Sequence, residues 1–337
     1  MSWRTMLGAC CGVVAAVVWA VSLAIYQPFM EPDGFWTDPA TGETYPEIGS
    51  NNTYWPRDIR QLAILLAFAG VVLICRANLR SIVAAGVGAV GWIGVDLALD
   101  RADVSGGSTA VWLAVGGVVA FAAIAFVARR VSTGEPGSEF TGHLLATVAA
   151  VSAAVTVLIT TPWDEPVTAP DQVQVENALS LLKVGLMLMF AAVALGLLPL
   201  AAARLVWMAP FAGLAAAAAW PATASYGLIG MLGLLFLPAC AATAVAAARD
   251  VSPLRLLGVA AACAVALFPV YLLLYFIGSG VGGAMTSLAG NPPINSADTD
   301  LSLSFAALML GLLFAYISHT LTRPALEPAP VAVGQPE

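Results

Sequence analysis

The sequence predicts an all-α polytopic membrane helix bundle, and three observations carry that prediction. Hydrophobic residues make up 60% of the 337 and charged residues only 10%, against about 25% charged in an ordinary soluble domain. The apolar residues come in repeated blocks of roughly 20, the length a helix needs to cross roughly 30 Å of hydrocarbon. The arginines gather at alternate ends of those blocks, as orientation by cytoplasmic Lys and Arg requires.

Ten spans follow, at about 6–26, 60–75, 81–99, 110–128, 142–161, 178–203, 205–221, 227–247, 255–277 and 301–319. The first begins after Arg4. Its Ser22-Leu23-Ala24 also fits a signal-peptide cleavage site, a reading opposed by the length of the apolar run and by nine comparable segments after it. The second is entered through Tyr54-Trp55-Pro56-Arg57-Asp58, ring anchors followed by charge. The third is interrupted by Asp96, and the fourth ends at Arg129-Arg130. The fifth carries Ser152, Thr156 and Thr160 at i, i+4 spacing, on one helical face. The sixth holds Lys183, the only lysine beside twelve arginines. Trp220-Pro221-Ala222-Thr223 is the sole break between the seventh and eighth, a loop or a kink. Pro199, Pro210, Pro238 and Pro269 are candidate kinks in spans six to nine.

With the N-terminus inside, Arg4, Arg76, Arg80, Arg129, Arg130, Arg204, Arg249, Arg255 and Arg323 all fall on the cytoplasmic side. Both termini are therefore expected in the cytoplasm, and the chain is expected in the cell (plasma) membrane. The preference for Arg over Lys, with abundant Ala and Gly, reads as the codon bias of a GC-rich bacterium. One transmembrane domain is expected over 1–321, with long outer loops at about 27–59, 162–177 and 278–300 and a disordered, proline-bearing tail over 322–337. The long loops recur every four spans. Trp36-Thr37-Asp38-Pro39 in the first loosely matches Trp163-Asp164-Glu165-Pro166 in the second, which fits either an internal repeat or ordinary turn chemistry.

Several classes are excluded by what the chain lacks. Cys10, Cys11, Cys75, Cys240 and Cys263 all lie in spans or at their inner ends, so no disulfide framework staples the outer side, and no Cys-x-x-Cys pair exists. His143 and His319 are isolated and make a poor metal site. No phosphate-binding Gly-rich loop, His-Glu-x-x-His or Gly-x-Ser-x-Gly occurs. No cofactor, metal or nucleic acid is expected. The expected partners are the lipid bilayer and a membrane protein partner.

Five polar residues carry the candidate binding site. Asp96 and Lys183 are ionisable groups within spans, where burial in lipid is costly and such groups face a bundle interior or a cavity. Counting back from Asp96 by helical steps gives Trp92, Ala89 and Ala85, and counting forward gives Asp100. Gly88, Gly91 and Gly94 run beside that face and mark a helix–helix interface. Asp96 and Lys183 therefore either snorkel or form one structural ion pair between spans 3 and 6, or they line an outward-facing cavity with Arg57, Arg60 and Asp100. Separately, Glu31-Pro32-Asp33 follows the first span almost at once. This placement resembles that of the acidic residues in membrane-embedded glycosyltransferases that use lipid-linked sugar donors, and the resemblance implies Glu31 and Asp33 as base or metal ligand. An acidic solvated loop explains the same residues. The expected function is a non-enzymatic transporter, permease-like protein or assembly subunit. The alternative is a membrane-embedded enzyme acting at the outer face on a lipid-linked or cell-envelope substrate.

Overall fold

The computed structural model describes residues 2–30, 35–37, 40–46, 54–157, 170–198, 227–249, 251–291 and 302–322. Helix α1 (Trp3–Val21) continues through a π-helical turn (Ser22–Tyr26) into α2 (Gln27–Met30). A short hairpin pairs β1 (Phe35–Thr37) with β2 (Thr44–Pro46), antiparallel, with Trp36 opposite Tyr45. There follow α3 (Trp55–Ile74), α4 (Leu79–Asp100), α5 (Gly107–Val131), α6 (Glu139–Thr156), α7 (Pro170–Leu197), α8 (Gly227–Ala247), α9 (Pro253–Ala289) and α10 (Leu303–Thr322). Seven stretches are long and apolar enough to cross a membrane: Trp3–Met30, α4, α5, α6, Val173–Leu197, α9 and α10. The molecule is thus a membrane helix bundle.

Local chemistry sets the helix ends. Ser2, Asn78 and Ser138 cap α1, α4 and α6 by accepting from backbone N–H groups of the first turn. Pro56 and Pro253 sit in the first turns of α3 and α9, where no N–H is needed. The π turn in α1 has a similar cause. Pro28 has no N–H for the carbonyl of Ala24, four residues earlier, and that carbonyl accepts instead from Gly106 N–H at 2.9 Å, tying α1 to the start of α5.

The helices run between two ends. At the end where α1 starts, here basal, Arg4 reaches the Leu198 carbonyl, the Phe140 and His319 rings lie 4.3 Å apart, and Arg249 donates to Thr322 at 2.9 Å. At the opposite, apical end, Arg101 donates to the Leu288 carbonyl at 3.2 Å. Leu198, where α7 finishes, is basal, and α8 also finishes basally next to Arg249 after a 21-residue helix. The expected seventh span (205–221) and the Trp220-Pro221 break lie outside the described residues, as do Pro199, Pro210, Thr160, the Trp163–Pro166 stretch and tail residues 323–337.

Two sets of helices pack in matching ways. In the N-terminal half α1 lies against α3 and α5, and in the C-terminal half α6 lies against α7 and α8. Gly8 on α1 closely approaches the carbonyl of Gly70 on α3, and Gly142 on α6 faces the carbonyl of Leu197 on α7. The halves meet where α3 touches α7 and α10, and where α9 touches α4. Helix α3 is central: only its Leu65, Phe68, Ala69 and Ile74 are less than fully buried.

Three expected boundaries move. The outer segment 278–300 is helical as far as Ala289, because the glycine-rich run from Gly278 stays in helix and stops only at Gly290, whose φ of +82° ends α9. Helix α7 begins at Pro170, inside the expected loop 162–177. Helix α3 begins at Trp55, five residues before the expected span at about 60–75, so Arg57, Asp58 and Arg60 belong to a helix and are buried in the bundle.

Candidate functional site

Asp96 of α4 is held at the apical end by residues of α1 and α3. The face predicted for it is the buried one: Ala85, Trp92, Asp96 and Asp100 are buried along α4, together with Ser81. The flanking glycines divide. Gly88 packs on Ile124 of α5, but Gly91 and Gly94 are exposed with no neighbouring atoms, so the expected glycine interface covers only Gly88 among the described residues.

Arg60 is the centre of the cluster. Its Nη2 donates to Asp100 Oδ2 at 2.6 Å and its Nη1 to Gln27 Oε1 at 2.9 Å. Its Nε lies 2.9 Å from Asp96 Oδ1, an ion-pair contact whose angle falls short of a hydrogen bond. The same Asp96 oxygen accepts from Trp19 Nε1 at 2.7 Å, and the Trp19 and Trp92 rings meet edge to face at 5.5 Å. Asp96 Oδ2 has no hydrogen-bond partner among the described residues. Arg60 and Asp96 are completely buried, so their attraction is undiluted by water, and removing one partner strands the other.

The structure brings Arg60, Asp96 and Asp100 together and places the other two candidates elsewhere. Asp96 takes as its ion-pair partner Arg60 of α3, grouped with it in the cavity alternative, and not Lys183 of α7, its partner in the ion-pair alternative. Lys183 is itself buried. It stands 14 residues before Leu197 (197 − 183), as Arg60 stands 14 before Ile74 (74 − 60), so both lie about 21 Å from the basal helix ends. Arg57 faces the other half: its Nη1 donates to Thr286 on α9 at 2.7 Å, its Nη2 lies 3.5 Å from Asp58, and its guanidinium sits 4.8 Å from the Tyr54 ring centre. Glu31 and Asp33 lie outside the described residues.

Gln61, Thr286, Asn291, Ser302 and Ser304 complete a second set of contacts that the sequence did not single out. Gln61 Oε1 accepts from Ser302 at 3.1 Å and Ser304 at 3.0 Å, and its Nε2 lies 2.9 Å from Met285 Sδ. Asn291 reaches Asp100 at 3.5 Å. The available signal was helical spacing, since Gln61 is one turn beyond Arg57 on the same face. Together with Arg57–Thr286 and Arg101–Leu288, these bonds close the apical seam between the halves.

That face of α3 continues down the seam. Leu65, Phe68, Ala69 and Val72 line a narrow apolar slot of about 20 Å³ against Leu145, Val148 and Ala149 of α6 and Phe190, Val193 and Leu197 of α7. Below it lies a basal cleft of about 290 Å³ lined by Leu73, Arg76 and Arg4 of the first half and by Glu139, Gly142, His143 and Leu197 of the second. Ser152 of the hydroxyl line on the fifth span also borders this slot, but its hydroxyl donates to the Val148 carbonyl, and that of Thr156 to the Ser152 carbonyl, one turn back. Comparison of the chain with protein-family models, with curated proteins and with solved structures finds no match. The reading of the site therefore rests on its own geometry.

Proposed function

We propose that the chain is a permease-like transport protein of ten spans in the plasma membrane, with both termini and the basal end in the cytoplasm. Arg4, Arg76, Arg80, Arg129, Arg130, Arg249 and Arg255 lie at or near the basal ends of their helices, which supports that orientation. One observation carries the transport reading: a single face of α3 lines a seam that is latched at one end and open at the other. The apical latch consists mainly of neutral or singly charged hydrogen bonds, each worth about 0.5–3 kcal/mol net. Such bonds are weak enough to exchange, whereas the Arg60 cluster ties α3, α4 and the end of α1 into one unit that moves together.

The test is reciprocal accessibility. With native cysteines replaced, Ser302→Cys reports the apical seam and Leu197→Cys the basal one, each labelled by a membrane-impermeant maleimide added from its own side. Combining Arg57→Gln with Gln61→Leu removes about 2 kcal/mol of latch, enough to raise apical labelling about thirtyfold. Labelling at Leu197→Cys should fall in the same variant, because opening one side of a transport path closes the other. A rise at both ends, or no change at either, would sink the transport reading.

A further inference from the structure

We infer that the basal cleft is a binding site for a small phosphate-bearing anion. Its volume of about 290 Å³ stands at the lower bound of small-molecule sites, roughly 300 Å³, which is ample for a phosphate group with a short organic body.

Two arginines face the cleft, and the turn that carries Arg76 is fixed in place. Arg4 rises from the first turn of α1, with its guanidinium 5.9 Å from the Trp3 ring centre and one long bond of 3.5 Å to the Leu198 carbonyl. Arg76 stands in the turn between α3 and α4, where Arg76 and Ala77 have φ of +54° and +56°. Two successive non-glycine residues in that left-handed region persist only where the surroundings over-determine them. Here they do. Gly137 N–H donates to the Arg76 carbonyl at 2.9 Å, and Ala77 N–H to the Val72 carbonyl at 2.9 Å. Asn78 caps α4 while donating to Thr133 and to the Glu135 carbonyl. Gly137 fits only as glycine, since a Cβ there would fall 2.0 Å from the Ala77 carbonyl oxygen. The outcome is an Arg76 side chain presented at the mouth, without an ion-pair partner among the described residues.

The remaining lining selects the ligand class. Leu73, Ala77, Pro136 and Leu197 give the cleft an apolar wall. Among the described residues Glu139 is its only carboxylate and takes part in no ion pair, which leaves it as an acceptor for a ligand hydroxyl. Two planar guanidinium forks match the three oxygens and charge of about −1.5 to −2 of a phosphate ester better than the two oxygens and single charge of a carboxylate. A ligand seated there touches both halves of the molecule. That it is also transported rests on the permease reading, whereas its binding does not.

The experiment uses the purified full chain, with inorganic phosphate and glycerol phosphate as soluble probes and bilayer nanodiscs of phosphatidylcholine with or without phosphatidate, whose headgroup is a phosphate monoester, as lipid probes. Binding is read by calorimetry and by the rise in unfolding temperature at constant ionic strength, with chloride as reference. Arg4→Gln combined with Arg76→Asn should weaken binding at least tenfold, Asn being a residue that tolerates the left-handed turn. Arg76→Lys alone should retain part of the affinity. Loss of a phosphatidate effect in the double variant, with no response to soluble probes, assigns the phosphate to a lipid headgroup; loss of a soluble-probe response assigns it to a free ester. Equal responses to phosphate and chloride, or responses unaltered by the double variant, overturn the proposal. Binding that persists when the reciprocal labelling test fails leaves the site standing and removes only its role as an entry for cargo.

Discussion

The two ends of this bundle treat charge in opposite ways. At the apical end Arg60 and Asp96 are sealed from water and held by named partners. At the basal end Arg76 and Arg80 are exposed, and Arg76 borders an open cleft. Basic residues on the two sides therefore contribute differently. A buried ion is committed to structure, because its desolvation is offset only by its partners. An exposed arginine at a cleft keeps its hydrogen-bonding capacity for a ligand, and costs the fold little when replaced.

Paired substitutions break that comparison most sharply. Arg60→Leu leaves Asp96 and Asp100 buried without their shared cation and Gln27 without its donor. The expected loss is about 3–5 kcal/mol, read as a lower unfolding temperature in mild detergent. Arg76→Asn at the other end should stay within about 0.5 kcal/mol. Similar losses from both would abolish the distinction between a structural and an available cation.

A smaller effect separates the ion pair from its supporting hydrogen bond. Trp19→Phe keeps most of the ring contact with Trp92 and removes the N–H that donates to Asp96. A hydrogen bond to a charged group is worth about 1.5–3 kcal/mol, so this variant should fall between the two arginine variants. Combining it with Asp96→Asn should show coupling, since both changes act on one oxygen. Simple additivity in that double-mutant cycle would show that Trp19 does not support the carboxylate.

Gly137→Ala tests the basal end by itself. The added methyl has to displace the Ala77 carbonyl, and overpacking of this kind costs about 1–3 kcal/mol. The shift moves the turn that presents Arg76, so phosphate binding should weaken in this variant while apical labelling stays unchanged. Altered apical labelling would mean that the two ends are not independently built.

How much of this was legible in the sequence differs between residues for physical reasons. Seven spans were, because a helix in lipid must be apolar for a fixed length, and the buried face of Asp96 was, because helical periodicity places Trp92 and Asp100 beside it. Its partner was legible only as one of two alternatives: Arg60 and Asp100 were grouped with Asp96 in the cavity reading, while Lys183, the other charge within an apolar run, was the partner in the ion-pair reading. Which helices become neighbours is a tertiary property, and Arg60 meets Asp96 across 36 positions (96 − 60) of chain. The Gln61 contacts were hidden likewise, since an amide in a span carries no sign that a serine of the last helix will meet it.

The glycines of α4 provide the smallest and most discriminating change. Gly91 and Gly94 have open space where a Cβ would go, but Gly88 would put one 2.8 Å from Ile124. On an exposed helix face Gly→Ala removes backbone freedom from the unfolded chain and stabilises by about 0.5–1 kcal/mol. Gly91→Ala and Gly94→Ala should therefore each raise the unfolding temperature slightly, and Gly88→Ala should lower it. The sign carries the information. If the exposed glycines were the seat of a second bundle, their small size would allow close backbone approach, and the same two alanines would destabilise an oligomer seen by size-exclusion chromatography in detergent. A stabilised chain of unchanged oligomeric state would instead make that face of α4 a lipid surface, with the working contacts of the helix confined to the Asp96 side.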